Sequence, residues 1–223
     1  MTIDPAWLAP TFFLDYQTPS VQDFVQRAVG EAKTDRDKAV RIYYAVRDGI
    51  RYDPYRFRLK RECFQASHTL AEGASYCVPK ALLYAAGLRS LGIPARPGFA
   101  DVKNHLTTEK MLKLSGGGIF AWHGYVSLLL DGRWLKATPV FNIEMCERFQ
   151  VLPLDFDGTA DSLLQPYDAR NQRHMEYIRY HGEFDDLPYD RLVEELGRNY
   201  SKKAIATMEG EPGNFEQETI HKG

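Results

Sequence analysis

Residues 73–96 read GASYCVPKALLYAAGLRSLGIPAR, and this stretch decides the fold. Pro79 suits a first helical turn, and Ala81, Leu82, Ala85, Leu88 and Leu91 then recur on one face until Gly92-Ile93-Pro94 ends the run. The pattern predicts a buried helix that starts at Cys77 and is entered through a loop beginning at Gly73. Gly87 inside it costs up to about 1 kcal/mol relative to alanine, which predicts that a second backbone packs closely there. At the helix start, unpaired N–H groups and the positive end of the macrodipole favour a thiolate, so the Cys77 pKa is expected below the free value of about 8.5. Cys77 is therefore the candidate nucleophile. Cys63, in an Arg-rich connection over 55–72, and Cys146, in a loop, have no such setting and read as structural.

Working outward, residues 1–20 hold Pro5, Pro10 and Pro19 among Trp7, Leu8, Phe12, Phe13 and Leu14, the pattern of an extended arm or strand. A helix follows from Ser20, and a second, opened by Asp35 or Asp37, carries Ala39, Val40, Ile42, Tyr43, Val46 and Ile50 up to Tyr52-Asp53-Pro54. On the C-terminal side, strand-like residues lead to a polar loop around Asn104-His105 and a flexible 115–118 stretch. Residues 125–130 and 133–138 then flank Asp131-Gly132, a type I′ hairpin signal. A two-residue turn makes Tyr125 face Thr138 and His123 face Val140, so positions 123, 125, 138, 140 and, if the strand continues, 142 share one side. His123 is the candidate base for the thiol, with Thr138 and Asn142 as candidates to orient it. Tyr76 and Trp122, beside the two reactive residues, are expected to wall a substrate groove, and His105 to line it. His68, His174, His181 and His221 read as solvated or structural. A helical run is expected over 170–180, within a C-terminal helical extension of about 160–206, followed by a frayed tail over 207–223.

Composition sets bounds on function. The 223 residues are 44% hydrophobic and 26% charged, enough for one compact domain, 1–223, with a full core. A net charge of −2 leaves no basic excess to draw the chain to nucleic acid or anionic membrane. Aromatic residues at 13% favour a lined pocket. No basic stretch precedes an apolar run at the N-terminus, and no transmembrane-length apolar run occurs, so a soluble, cytoplasmic protein is expected. The three cysteines form no CxxC and no Cys/His cluster. Neither a metal nor a cofactor is expected.

The loop ending in Cys77, the helix running into Leu88-Arg89-Ser90-Leu91-Gly92-Ile93-Pro94-Ala95-Arg96, and Trp122-His123 followed by Asp131-Gly132-Arg133-Trp134 together resemble the transglutaminase-like superfamily of papain-like cysteine enzymes. The resemblance covers about residues 35–142. It implies an α+β fold, with N-terminal helices and a nucleophile helix packed on an antiparallel β-sheet, and a Cys77–His123 pair that needs no cofactor. It also implies acyl transfer at a peptide or protein amide, with the Cys77 backbone N–H donating to the oxyanion and the second donor unplaced. Hydrolysis is the expected outcome; crosslinking of proteins, or a catalytically silent binding protein, are the alternatives. One departure stands out. Where the family has aspartate before proline, this chain has Thr138-Pro139. Thr138 and Asn142 could fix the histidine tautomer but bring no charge, and Asp155 and Asp157 could do so only by folding back.

Overall fold

The computed structural model describes residues 2–105, 107–115, 117–164 and 174–200, with Ile205 and Phe215. The chain opens with a 3₁₀ turn at Pro5–Trp7 and bends, with no strand, and Phe13 and Leu14 anchor it by burial. Helix α1 (Pro19–Val29) buries Val21, Val25 and Val29. Helix α2 (Asp35–Gly49) starts where the Thr34 hydroxyl accepts from the Asp37 N–H. It stops at Gly49, earlier than the apolar spacing suggested, because Arg51 and Tyr52 form strand β1 (Arg51–Tyr52). The polar 55–72 connection contains helix α3 (Ala66–Glu72), closed by Gly73 at φ 62°. Strand β2 (Ala74–Ser75) then pairs parallel with β1 and delivers the chain to helix α4 (Cys77–Ser90).

Helix α4 is the centre of the core: every residue from Val78 to Arg89 is buried. The expected close approach at Gly87 is there, made by side chains of α1 and α2 instead of a backbone. A Cβ on Gly87 would lie 3.1 Å from Ile42 Cγ2 and 3.5 Å from Val25 Cγ2. Two polar side chains are buried with the helix. Arg89 donates to the carbonyls of Ala95 (2.9 Å), Ala9 (2.8 Å) and Asp185 (2.7 Å), tying three segments together. Lys80 donates to the carbonyls of Arg47 (2.9 Å) and Ile50 at the end of α2, filling acceptors that the helix leaves open.

The sheet is antiparallel throughout, in the order β5-β4-β3-β6, made of β3 (Ala95–Asn104), β4 (Ile119–Leu130), β5 (Arg133–Ala137) and β6 (Met175–Glu183). Asp131 and Gly132 take φ of 50° and 76°, the type I′ pair, and Val126 faces Ala137 in the expected register. Helices α5 (Glu109–Leu114) and α6 (Ile143–Phe149) lie between strands, and α7 (Tyr189–Asn199) follows the sheet. Together with α1–α4 this is an α+β fold.

Three expectations change. Residues 175–180, read as helix, belong to edge strand β6, and 170–173 lie outside the described residues. Cys146 sits buried in α6, not in a loop. Of the tail, Phe215 is described, and its ring packs on Tyr52 and Phe149 instead of fraying; His221 lies outside the described residues. Among the described residues no helix is long and apolar enough to cross a membrane.

Lys80 generates a pH test. Burial brings its pKa down to about 7, and two acceptors suit the two N–H bonds of a neutral amine. The unfolded chain keeps that proton to about pH 10.4, so between the two values the unfolded state binds more protons and stability rises with pH. Lys80→Met should be less stable by about 1–3 kcal/mol, because two carbonyls lose their donor. The deficit should widen from pH 7 to 9 by up to about 1.4 kcal/mol per pH unit. Urea unfolding midpoints of both proteins at the two pH values check this; a deficit that stays constant would mean the amine is charged in the fold.

Candidate active site

Cys77 is the first residue of α4, and no side chain caps that terminus. Strand β4 crosses directly in front of it. A Cβ on Gly124 would stand 3.0 Å from Val78 Cα and 3.1 Å from the Cys77 carbonyl oxygen, so only glycine lets the strand touch the helix start. The contact places His123, the preceding residue, on the wall of the same cavity as Cys77.

Burial pushes the Cys77 thiol up to about 11, and the backbone N–H groups of Gly124, Val78 and Cys77, which favour the thiolate, only partly offset it. The expected lowering is thus reversed: desolvation outweighs the helix terminus. Burial also drives the His123 imidazolium down to about 3. Its Nε2 is buried without a partner, and its ring meets Tyr177 edge-on, centroids 6.1 Å apart at 71°. At neutral pH the resting pair is a thiol and a neutral imidazole.

A bulge aims the histidine. Ala100 pairs with His123 and Val102 with Phe120, so β4 carries one extra residue opposite Asp101. Trp122 takes it up at φ 60°, a conformation costly for a bulky side chain. Its partners hold it there. The Trp122 N–H donates to Asp101 Oδ1 (3.0 Å) and its indole N–H to Glu195 Oε2 (3.2 Å). The His181 ring stacks on it at 4.4 Å with Nε2 2.7 Å from the same Asp101 oxygen. Arg191 covers the ring, 5.4 Å from its centroid.

The other sequence candidates separate. Tyr76 and Trp122 line the cavity as expected. His105 is not among its described lining residues; its ring nitrogen lies 3.3 Å from Glu176 Oε2, and His174, read as solvated or structural, lines the cavity instead. Asn142 does not meet His123. Its Oδ1 accepts from the Tyr52 N–H (2.9 Å) and its amide donates to Glu144 (2.8 Å), because the strand ends at Ala137 and the chain turns into α6. Asp155 accepts from Arg47 (3.0 Å) and Asp157 from Thr159, both away from the histidine. Thr138 is buried; its N–H donates to the Ser162 carbonyl (3.0 Å). The Thr138 hydroxyl meets no partner at good hydrogen-bond geometry and lies within electrostatic reach of the Tyr177 hydroxyl. Tyr177 thus touches both Thr138 and His123, a residue that sequence reasoning passed over because its strand read as helix. Tyr52 and Tyr200 also face Cys77, and burial chiefly holds both hydroxyls above the usual range. Among the described residues no group of three or more His, Cys, Asp or Glu side chains is arranged to hold a metal.

The family model of the transglutaminase-like superfamily matches residues 22–139. Among solved structures, "a Putative Cysteine Protease from Cytophaga hutchinsonii" aligns at 20% identity and TM-score 0.45, over 60% of this chain and 40% of that one. A "putative protease from Parabacteroides distasonis" aligns at 14% identity and TM-score 0.37, over 56% of this chain and 25% of that one. The chain therefore spans well under half the length of either. No curated protein matches.

The Gly124 contact gives a direct test. Gly124→Ala must push the strand off the first turn of α4, costing about 1–3 kcal/mol as overpacking does. It should also slow Cys77 chemistry by separating the sulfur from the Gly124 N–H and His123. Thermal unfolding and thiol alkylation report the two effects; an alanine tolerated in both would mean the backbones can part freely.

Proposed function

Because the chain belongs to the transglutaminase-like superfamily, we propose that it is a cysteine hydrolase that cleaves an amide bond through Cys77 and His123. One observation carries the reading: the thiol at the start of α4 shares a cavity wall with the His123 imidazole, and backbone N–H groups converge on its sulfur. Both groups are neutral at rest, so proton transfer accompanies attack. His123 takes the thiol proton as the Cys77 Sγ–C bond forms. The carbonyl oxygen becomes an oxyanion beside the first-turn N–H groups, which have no helical partner. The C–N bond then breaks, and His123 returns the proton to the leaving amine. Water, deprotonated by the same imidazole, splits the thioester, releases the acid and restores the thiol. In this reading Thr138 and Tyr177 fix the ring without charge, and Asn142 shapes the site through Tyr52. The family resemblance implies a peptide or protein amide, but these steps require only an amide.

A second reading, a silent cleft that binds without turnover, draws on the same electrostatics: among the described residues no carboxylate accompanies His123, and burial opposes both ions of the pair. Turnover separates the two. Cys77→Ala should abolish acyl transfer at little cost in stability, and an added amine that diverts product from acid to amide would mark crosslinking instead of hydrolysis. A wild-type protein whose Cys77 is never acylated by an activated ester would remove the enzymatic reading.

The raised thiol makes a pH prediction. In the free enzyme, alkylation of Cys77 by iodoacetamide should rise about tenfold per pH unit above neutrality and level near pH 11, the thiolate being the reactive form. Thr138→Asp places a carboxylate beside Tyr177, whose ring meets His123; it should favour the imidazolium and with it the thiolate, and move that limb to lower pH. An unmoved limb would take position 138 out of the electrostatics of the pair.

A further inference from the structure

The cavity beside Cys77 encloses about 1050 Å³ of empty space when its mouth is included. It lies at a seam. The main core wraps α4, and a second apolar cluster gathers Tyr55, Val102, Val140, Phe141, Phe149 and Val151 with side chains of α5 and α6; Cys77 and Tyr52 pack against both. Among the described lining residues none is Asp, Glu, Lys or Arg. Two of the polar ones are already occupied: the Thr108 hydroxyl caps α5, and the Ser115 hydroxyl donates to Leu112 and accepts from Gly118. Three of the chain's five methionines face this space, Met111 from α5, Met145 from α6 and Met175 from β6. Methionine from three separate elements makes a wall that adapts to an apolar guest. A charged or carboxamide-bearing group would find little there to replace its water.

We infer that this cavity is an acyl-chain site, and that the substrate cleaved at Cys77 is an amide whose acyl half is a hydrocarbon chain. The inference rests on the cysteine-hydrolase reading above and adds the substrate class to it. The acyl half belongs in the cavity, and not the amine, because it stays bonded to Cys77 through both half-reactions, whereas the amine must leave by the mouth and water must enter. Chemistry is unchanged: Sγ bonds to the carbonyl carbon, the C–N bond breaks, the amine leaves with the proton from His123, and water releases a long-chain carboxylic acid.

The experiment follows chain length. With p-nitrophenyl esters from acetyl to octanoyl, kcat/KM of the wild-type protein, corrected for the Cys77→Ala background, should rise about fourfold per methylene, the equivalent of about 0.8 kcal/mol each. Octanamide should bind the Cys77→Ala protein, measured by calorimetry, where acetamide does not. Met145→Trp, which fills part of the space, should lower the octanoyl-to-acetyl ratio at least about tenfold. If Cys77 is acylated and turned over with no dependence on chain length, or prefers a capped alanyl peptide anilide, the acyl-chain site is overturned and the cysteine chemistry stands. If no ester acylates Cys77 at any length, the proposed function falls and this substrate assignment with it.

Discussion

The contact between Gly124 and the first turn of α4 sets everything else in the site. A Cβ there would meet Val78 Cα at 3.0 Å and the Cys77 carbonyl oxygen at 3.1 Å, so the strand or the helix start would have to give by a few tenths of an ångström. Without a Cβ, the strand backbone reaches Val78 Cα and the Cys77 carbonyl oxygen, so the helix terminus and the strand become one rigid corner. The Gly124 N–H then supplements the free donors of the helix start, and the adjacent residue, His123, is delivered to the same wall. The proposed nucleophile, base and oxyanion donors thus come from two elements fixed by one close approach, with α4 buried from Val78 to Arg89 to resist displacement.

That closeness has an electrostatic cost. A helix N-terminus in water would favour the thiolate, but the Cys77 corner is packed by Tyr52, Tyr76 and Trp122, and loss of solvent acts on the ions more strongly than the N–H groups do. Among the described residues no carboxylate stands beside His123 to compensate its burial. In the proposed reaction the proton therefore moves together with the attack, and a substrate carbonyl at Cys77 supplies a group on which negative charge can settle in front of fixed donors.

How far the sequence is legible follows from where its signals are local. Helix α4, its Cys77 start, the Asp131-Gly132 turn and the register of β4 on β5 are each written in one short contiguous stretch, by glycine, proline and apolar spacing. Asn142 would share the side of His123 only if β5 ran on that far, whereas the strand stops at Ala137, the Thr138 N–H turns to the Ser162 carbonyl and Asn142 goes to Tyr52. No local rule announces a strand end dictated by a distant loop. Strand β6 was misread for a related reason. At an edge its exposed Ile178 and Tyr180 give no clean alternation, although the run of Tyr and Ile favours a strand. Missing β6 also hid Tyr177, and left His105 and His174 assigned to each other's surroundings, since the far cavity wall runs beside that strand.

The Trp122 bulge shows how the fold tolerates a locally unfavourable conformation at the place where function needs it. A tryptophan at φ 60° is disfavoured on its own, and a glycine there would remove the strain. It would also remove the ring that His181 stacks on, Arg191 covers and Glu195 binds, and with it the link between β4, β6 and α7. Asp101 is the hinge of that arrangement, because one carboxylate oxygen accepts both the strained N–H and the His181 ring. The extra residue turns His123 toward the cavity, while Gly124 regains the pleat in time to meet α4. Strain at one residue is thus over-determined by four side chains from three other elements. The direction of the His123 imidazole is a property of this second network as much as of the strand that carries it.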